Sequence, residues 1–365
     1  MKIPVTLWHV ILFCSPCFAQ TPAVKKVVNG SLATTCALLT DNAVKCWGRN
    51  SYGALGMGHT SHRGSNAGEM GTNLPTVSLG TNQIARQIAI GSFHVCVLLN
   101  DNRVKCWGKG DHGALGVGHR RTIGDNLSEM GDNLAFVNLG YNQPIAQLVA
   151  GWDFNCVLFA DSKIKCWGEN SKGQLGLEDT NDRGVSPEQL GTRLPFVNLG
   201  EVTPVKQITA SALHACALFE DGRLKCWGGG GSVLGLGIAE NRGDAPDEMG
   251  EALPFVNLGS GVIVEKLATA TSHTCALVQG GRVKCWGGNF FGVLGLGDLR
   301  ERGRHLDEMG DNLPFVDLGT NAIVVDIATG AQHACARLAN DEIKCWGYNG
   351  YGQLGLEDTR SRGSQ

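Results

Sequence analysis

Twelve of the 14 cysteines form six pairs with one constant spacing, and paired thiols can form disulfides or bind a metal ion. Nine residues separate the two cysteines of each pair, and Trp-Gly follows the second one. Zinc needs four ligands, whereas each pair offers two thiols at a spacing that is unusual for a zinc site. We therefore predict six local disulfides, with metal binding as the alternative. The predicted pairs are Cys36 with Cys46, Cys96 with Cys106, Cys156 with Cys166, Cys216 with Cys226, Cys275 with Cys285, and Cys335 with Cys345.

Each pair lies in a segment where apolar residues alternate around a polar triplet, a pattern that predicts a β-hairpin. If Cys216 faces Cys226, the loop has three residues, and the third of them, Gly222, needs a positive φ. The cysteines then occupy a non-hydrogen-bonded site, where the Cα atoms lie within disulfide reach. Five of the six equivalent loop residues are Gly, Asn or Asp, which adopt positive φ most easily. These residues are Asn42, Asn102, Ser162, Gly222, Gly281 and Asp341.

The hairpins recur every 60 residues, with one interval of 59 between the fourth and fifth copies. A fixed period of this size indicates stacked units, none of which can bury its own core alone. The copies follow one another without a linker. We therefore predict one repeat domain over residues 20–365. Its repeats are expected at approximately 20–80, 81–140, 141–200, 201–259, 260–319 and 320–365.

Composition excludes several classes of partner. Apolar residues make up 42% of the chain, which is enough for a packed core, and 52 glycines indicate a turn-rich protein. The net charge is −3, and lysines and arginines are scattered along the chain. The sequence therefore offers no basic face for nucleic acid and no polybasic anchor for a membrane.

The N-terminus resembles a secretory signal peptide. Lys2 supplies a positive charge, an apolar run follows over Val5 to Phe13, and small residues precede a cleavage point after Ala19. The run is too short to span a bilayer, and its alternative interpretation is a buried N-terminal strand. We predict that residues 1–19 are removed and that the mature protein is secreted. Cleavage would also remove Cys14 and Cys17, which leaves an even set of cysteines for an oxidising compartment.

The repeat unit resembles the regulator of chromosome condensation repeat. The matching signature is Gly-x-x-His before the hairpin, as in Gly91-Ser-Phe-His94, and Trp-Gly-x-Asn-x-x-Gly-x-Leu-Gly after it, as in Trp47-Gly-Arg-Asn-Ser-Tyr-Gly-Ala-Leu-Gly56. The resemblance covers nearly the whole mature chain and implies an all-β fold, a β-propeller of such repeats.

The chain departs from this family pattern in blade number. Seven blades are the family norm, whereas this sequence has six recognisable hairpins. The sixth copy also lacks the Leu-Pro-Phe-Val-Asn-Leu-Gly segment that is complete at residues 194–200 and 253–259. A six-bladed propeller with an incomplete last blade, a fragment of a seven-bladed one, and pairing with another chain therefore remain three alternatives.

No catalytic constellation is recognisable, and we predict no catalytic residues, no cofactor and no metal site. A histidine recurs at one position in four copies, and Thr34 and Phe154 occupy this position in the other two, so we expect a structural histidine that is hydrogen-bonded to a neighbouring backbone group. We interpret the tryptophan after each second cysteine as blade packing, with a carbohydrate platform as the alternative. The histidines are His94, His214, His273 and His333.

The copies differ most at their tips, and variable aromatic and arginine residues are typical interface anchors. Each full copy also carries an extra polar loop with paired Arg and Glu, which either stabilises the loop or binds a partner. Neutral drift is the alternative for the variable residues. The candidate partner-binding residues are Tyr52, His112, Arg120, Arg121, Trp152, Phe290, Phe291, Arg302 and Tyr351.

These observations favour a secreted, disulfide-stabilised propeller that binds an unknown extracellular protein through loops on one face. The family resemblance implies an alternative, guanine-nucleotide exchange on a small Ran-like GTPase. The signal peptide and the paired cysteines oppose this alternative. The near-constant repeat period also leaves no room for the inserted wedge that the family's exchange factor pushes against its GTPase. A lectin-like or enzymatic propeller is a further alternative, because fold alone does not determine function.

The intact mass of the exported chain tests the signal peptide and the disulfides together. Cleavage after Ala19 makes Gln20 the first residue of the mature chain. Six disulfides make the non-reduced protein about 12 Da lighter than the reduced protein, as expected in an oxidising compartment. A chain that retains residues 1–19 with every thiol free would contradict both predictions.

Overall fold

The computed structural model describes residues 22–30 and 32–365, so the predicted signal peptide lies outside the described residues. Within them, the chain forms six antiparallel sheets of three strands each, in chain order, with one sheet for each copy of the repeat. The remaining regular structure consists of ten 3₁₀ turns of three residues each. No helix among the described residues has the length and apolar character needed to cross a bilayer. The all-β prediction is confirmed.

The first strand of each sheet precedes the hairpin, and the second and third strands form it. The first strands are β1 (Val24–Asn29), β4 (Ala85–Ile90), β7 (Ile145–Ala150), β10 (Val205–Ala210), β13 (Val264–Thr269) and β16 (Val324–Thr329). The second strands are β2 (Thr34–Leu39), β5 (His94–Leu99), β8 (Phe154–Phe159), β11 (His214–Phe219), β14 (His273–Val278) and β17 (His333–Leu338). The third strands are β3 (Val44–Gly48), β6 (Val104–Gly108), β9 (Ile164–Gly168), β12 (Leu224–Gly228), β15 (Arg282–Gly287) and β18 (Ile343–Gly347).

The 3₁₀ turns lie in the connections that follow the third strands. They span Gly71–Asn73, Asp111–Gly113, Gly131–Asn133, Pro187–Gln189, Gly191–Arg193, Ser232–Leu234, Gly250–Ala252, Phe290–Gly292, Leu306–Glu308 and Gly310–Asn312.

Every hairpin has the predicted three-residue loop. In the fourth copy, the Phe219 amide donates to the carbonyl of Arg223 at 2.9 Å, and the Gly222 amide donates back to the carbonyl of Phe219 at 3.0 Å. The third loop residue has a φ between 64° and 82° in all six copies, including Ser162 at 70°. The loop length therefore imposes the left-handed conformation even on a serine, which has no special preference for it.

A disulfide joins the second and third strands of each sheet. In all six sheets the two cysteines lie directly opposite each other, with their Cα atoms 4.1 Å apart. This separation is that of a non-hydrogen-bonded antiparallel pair, the site that the cysteine spacing predicts. The disulfide prediction is confirmed, and the zinc alternative is wrong because every paired thiol is consumed in a disulfide. The bonds join Cys36 to Cys46, Cys96 to Cys106, Cys156 to Cys166, Cys216 to Cys226, Cys275 to Cys285, and Cys335 to Cys345.

The first strands surround a central channel. One cavity is lined by the last residue of the first strand from every sheet, which places the six sheets around a common axis. Glutamine side chains connect successive first strands. The Gln87 amide donates to the carbonyl of Leu148 at 2.8 Å and accepts from its N–H at 3.1 Å. Gln147 and Gln207 make the equivalent contacts one sheet further on. These bonds hold the second, third, fourth and fifth sheets in register with one another.

The Leu-Pro-Phe-Val-Asn-Leu-Gly segment forms an outer rim on the third strand of its own copy. In the second copy, the Val137 amide donates to the carbonyl of Val104 at 2.8 Å. Equivalent bonds occur in the first, third, fourth and fifth copies. The described residues provide no such segment for β18, where Ile343 is 69% exposed. On the other side of the opening between the sixth and first sheets, Val27 of β1 is 51% exposed, while the equivalent Ile88 is buried.

A buried lysine fastens this outer segment to the sheets. The Lys225 ammonium donates to the carbonyls of Leu199 and Gly250 at 2.8 and 2.9 Å, and it lies 4.8 Å from the centre of the Phe255 ring. Leu199 belongs to the preceding copy, so one ammonium group connects two repeats. Burial lowers the pKa of the Lys225 side chain. The same contacts are made by Lys105, Lys165 and Lys284.

The repeated tryptophan packs between neighbouring sheets, which agrees with the blade-packing interpretation. The Trp227 side chain is fully buried, and its indole N–H donates to the carbonyl of Gln174 in the preceding copy at 3.2 Å. The tryptophans of the second, third, fifth and sixth copies make the equivalent bond. An aromatic ring buried in this way is not available as a carbohydrate platform.

Replacing a buried lysine should destabilise the fold more than replacing the exposed one. Lys225→Met leaves two carbonyls without their donor, and we expect a loss of about 2 kcal/mol in the free energy of unfolding. Lys344 donates to one carbonyl at an exposed site, so Lys344→Met is the matched control with a loss below about 1 kcal/mol. Calorimetry of both disulfide-intact variants measures the difference. Equal losses would show that the paired carbonyl contacts contribute little.

Candidate functional site

The loops that carry most of the variable residues meet on one face of the disc. The connection between the first and second strands is hydrogen-bonded to the residue that follows the third strand. For example, the Lys109 amide donates to the carbonyl of Phe93 at 2.9 Å. We call this side the upper face. The hairpin tips lie on the opposite side, the lower face, where the Asn100 amide bonds to the carbonyl of Ile84 near the start of β4.

Tyr52, His112, Phe291 and Tyr351 occupy the same repeat position, the fifth residue after the tryptophan. Three of them contact loop residues of the next copy. The Tyr52 ring lies 5.0 Å from that of Phe93, His112 Nδ1 lies 2.9 Å from a carboxylate oxygen of Asp182, and the Phe291 ring lies 4.5 Å from that of Tyr348. These variable residues of the upper face therefore pair with variable residues of the neighbouring copy. The sequence analysis did not predict this contact.

An aromatic surface remains on the upper face at the fifth and sixth copies. Phe290 is 65% exposed, Phe291 is 42% exposed and Tyr351 is 89% exposed. Tyr348 lies between Phe291 and Tyr351, 5.9 Å from the latter ring. Phe291 has a φ of 60°, which is strained for a bulky side chain. We call Phe290, Phe291, Tyr348 and Tyr351 the aromatic patch.

Three other predicted residues lie on the upper face away from this patch. Arg120 is exposed, with its guanidinium 3.5 Å from Asp182, and the adjacent Arg121 is exposed as well. Trp152 lies near the central channel, where its backbone N–H donates to the carbonyl of Ala212 at 3.2 Å. The structure brings Phe290, Phe291 and Tyr351 together and keeps the other predicted residues apart from them.

Arg302 is engaged within its own loop. Its guanidinium lies 2.6 Å from Asp298 and donates to the carbonyl of Arg300 at 2.8 Å, and the side chain is 15% exposed. Arg183 makes the equivalent ion pair with Asp179. These arginines hold the polar loops against the sheets, which is the loop-stabilising role that the sequence leaves as one of two alternatives.

The glutamates of the polar loops also stabilise the loops. One oxygen of Glu248 accepts hydrogen bonds from the amides of Gly243, Asp244 and Ala245 at 2.9–3.1 Å. Hydrogen bonds from Asn66 and from loop amides lower the pKa of the equivalent Glu69 to about 2. The carboxylate thus remains charged at physiological pH and holds the loop in a fixed shape.

His94, His214 and His273 are buried between sheets, whereas His333 is partly buried, and the partners of His94 and His214 differ from the prediction. His94 Nε2 lies 2.9 Å from the side-chain oxygen of Asn155, and His214 Nε2 lies 3.4 Å from the hydroxyl of Thr274. Both partners are side chains of the next sheet and not backbone groups. Neither ring nitrogen of His273 has a partner among the described residues. Burial lowers the pKa of His214 to about 4 and that of His273 to about 3.

The upper face presents chemical groups of the kind that protein interfaces use. Within residues 22–30 and 32–365, no group of three or more His, Cys, Asp or Glu side chains is placed to hold a metal ion. The face offers exposed aromatic rings, exposed arginines such as Arg120 and Arg121, and a ring of stabilised loops. Such residues can bury apolar area against a partner and pair with its carboxylates.

Two family models named "Regulator of chromosome condensation (RCC1) repeat" match this chain. The first matches residues 24–54, 85–114, 145–174, 205–232, 266–293 and 324–353, and the second matches residues 41–98 and 165–218. The six sheets around a channel and the repeated hairpins therefore define a β-propeller of repeats with six blades. The chain belongs to the RCC1 repeat family.

Curated proteins are similar to this chain over most of its length. The "Ultraviolet-B receptor UVR8" of Arabidopsis thaliana is 29% identical over 336 residues, which cover 90% of this chain and 66% of that protein. The "Probable E3 ubiquitin-protein ligase HERC6" of Homo sapiens is 29% identical over 300 residues, which cover 81% and 26%. The "Secretion-regulating guanine nucleotide exchange factor" of Bos taurus is 25% identical over 332 residues, which cover 87% and 62%. The chain thus spans just under two thirds, or less, of these relatives.

Solved structures support the fold. Human WBSCR16 superimposes with a TM-score of 0.70 at 19% identity, over 92% of this chain and 80% of that chain. Yeast RCC1 (Prp20), solved bound to Kap60, superimposes with a TM-score of 0.66 at 21% identity, over 93% and 73%. These matches confirm the propeller prediction.

Acid should destabilise the protein through its buried histidines. Their pKa is lower in the folded chain than the ordinary 6.5, so the unfolded chain takes up protons first as the pH falls. The stability that depends on these neutral histidines is therefore fully present above about pH 6.5, and it is lost as the pH drops toward 4. His273→Phe introduces the residue type that Phe154 supplies at the equivalent position, and it should reduce the loss between pH 7 and pH 4.5 by about 2 kcal/mol. Thermal unfolding at both pH values, with the exposed His305→Phe as control, measures this; an unchanged pH dependence would contradict the histidine explanation.

Proposed function

We propose that this chain is a secreted, disulfide-stabilised propeller that binds an extracellular partner protein through its upper face. The aromatic patch carries this proposal. Phe290, Phe291 and Tyr351 expose large apolar rings together on one surface, whereas large apolar side chains of this protein are otherwise mostly buried or singly exposed. Clustered aromatic rings are the anchors that contribute most of the binding energy in protein interfaces.

The rigidity of the scaffold supports binding by this face. The glutamate and arginine contacts fix the polar loops, and the disulfides and glutamine bonds fix the sheets beneath them. A surface that is ordered before binding loses little conformational entropy when the partner arrives. The upper face therefore suits recognition of a partner with a matching shape.

The disulfides support secretion. Six cross-links, one in each sheet, persist in oxidising compartments and are rare where thiols are kept reduced. The signal-like N-terminus adds a second argument from the sequence, and the intact mass tests it. The proposed boundaries, a signal peptide over residues 1–19 and one propeller domain over residues 20–365, follow from the same reasoning.

Guanine-nucleotide exchange is the second candidate, because one relative bears the name of a secretion-regulating exchange factor. Another structure of yeast Prp20p was described together with its binding to Gsp1p and histones, which is a property of that protein. Under this alternative the partner would be a small Ran-like GTPase. Accelerated release of labelled GDP from a Ran-type GTPase would support it, and an unchanged release rate would remove it.

Removing the exposed rings should weaken partner capture without unfolding the protein. We expect Phe290→Ala combined with Phe291→Ala to reduce capture of extracellular partners at least about tenfold, because interface aromatic residues are frequent hot spots. The readout is quantitative mass spectrometry of proteins cross-linked to the immobilised chain. Val202→Ala is the control, since Val202 is fully exposed on the lower face.

Calorimetry accompanies this comparison. An unchanged melting temperature with lost capture supports the upper face as the binding surface. A loss of stability that parallels the loss of capture would show that the two rings belong to the core, and unchanged capture would contradict the proposal.

A further inference from the structure

The fourth copy departs from the repeat on the upper face. In the first copy, Trp47-Gly48 is followed by Arg49 and Asn50, and Tyr52 reaches the next sheet. In the fourth copy, Trp227 is followed by four glycines over residues 228–231, and the copy is one residue shorter. The side chains that cover this position in the first copy are therefore missing from the fourth.

The third copy departs from the repeat close to this place. Trp152 lies in the loop between β7 and β8, directly after Gly151, which lines the central channel. The same position holds a small residue in the second, fourth, fifth and sixth copies. These residues are Ser92, Ala212, Thr271 and Ala331. The third copy thus places a large aromatic ring where the second and fourth copies have small side chains.

The two departures line one cavity of about 300 Å³ on the upper face. Trp152, Leu213 and Val233 contribute apolar walls, and Gly229 lines the same cavity. A Cβ atom added to Gly229 would lie 3.1 Å from Leu213 Cβ and 3.7 Å from Lys172 Cβ. Glycine therefore keeps this space open. We call the cavity the Trp152 pocket.

The indole N–H of Trp152 is buried and has no acceptor among the described residues. Other buried indoles of this chain are paired; Trp227, for example, donates to the carbonyl of Gln174 and Trp286 to that of Val233. A buried donor without an acceptor costs free energy, so this site departs from the hydrogen-bonding pattern of the repeat. The unpaired group lies on a residue that lines the cavity.

Lys172 adds a positive charge to the lining of the pocket. It is exposed, and it makes no ion pair within the described part of the chain. An apolar cavity beside an unpaired ammonium group favours a ligand with an apolar portion and a carboxylate close to it.

We propose that the Trp152 pocket receives a large apolar side chain of the partner protein, next to an acidic residue that pairs with Lys172. The inference rests on the proposed function, since it specifies which chemistry the upper face recognises. The apolar walls, which include Trp152, bury the anchor side chain, and the carboxylate of the acidic residue pairs with the exposed Lys172. The pocket and the aromatic patch would then be two anchor points on one face.

The test follows the indole N–H signals of the ¹⁵N-labelled chain during titration with the dipeptide acetyl-Phe-Asp-amide. The signal of Trp152 is assigned with Trp152→Phe. We expect this signal to shift with a dissociation constant on the order of 1 mM, while the indole signals of Trp227 and Trp286 stay in place. Acetyl-Phe-Lys-amide should bind at least about threefold more weakly, because its charge opposes that of Lys172.

Variants of the pocket provide the controls. Gly229→Leu fills the cavity and should abolish the shift, while Gly288→Leu at the equivalent position of the fifth copy should leave it unchanged. Lys172→Glu should reverse the preference between the two dipeptides. An unshifted Trp152 signal in the unmodified chain, or an equal shift in the Gly229→Leu variant, would overturn the proposal.

The outcome is separable from that of the proposed function. The pocket inference fails, while the proposed function stands, under two joint results. Substitution of Phe290 and Phe291 reduces capture of a partner whereas Gly229→Leu does not, and the dipeptide leaves the indole N–H signal of Trp152 unshifted. If the dipeptide binds in the pocket but neither set of variants changes capture of any protein, the pocket is a real site and the proposed function fails.

Discussion

The packing of each sheet against the next is the constraint on which the rest of this structure depends. A three-stranded sheet of 17 or 18 residues has too little core to be stable alone, so its faces pack against neighbouring sheets, except at the opening between the sixth and first sheets. Two hydrogen bonds that join neighbouring sheets recur along the chain. The indole N–H of one copy donates to a carbonyl of the preceding copy, and a glutamine side-chain amide donates to the first strand of the next sheet. The disulfides act within sheets, and they preserve the hairpin register that these contacts require.

The hairpins were predictable from the sequence because their determinants are local. The cysteine spacing fixes which residues face each other, and the register fixes the loop residue with positive φ. Ser162 follows this rule despite its residue type. The family resemblance then supplied the propeller, because alternation of apolar residues alone does not say how hairpins are arranged around an axis.

Contacts between copies were not predictable in the same way. The Lys225 ammonium meets carbonyls that lie 26 and 25 residues away along the chain, and its presence in all six Lys-Cys-Trp-Gly motifs was the available signal. His94 bonds to Asn155, 61 residues later, so an interpretation from the local sequence placed its partner on the backbone. The partners of the variable upper-face residues were equally hard to predict. Tyr52 and Phe93 touch across two copies, and a single sequence does not show which variable residues are partners.

Repetition also determines where function can be sought. Groups that recur in the copies, such as the lysines, glutamates and tryptophans, are used by the fold, and their hydrogen-bonding capacity is already occupied. Binding specificity must then come from residues that break the repeat and still have free surface or unpaired groups. The aromatic patch meets this condition through exposed area, and the Trp152 pocket meets it through an empty volume and an unpaired donor. Both lie on the upper face, because the loops there tolerate substitution that the packed sheets do not.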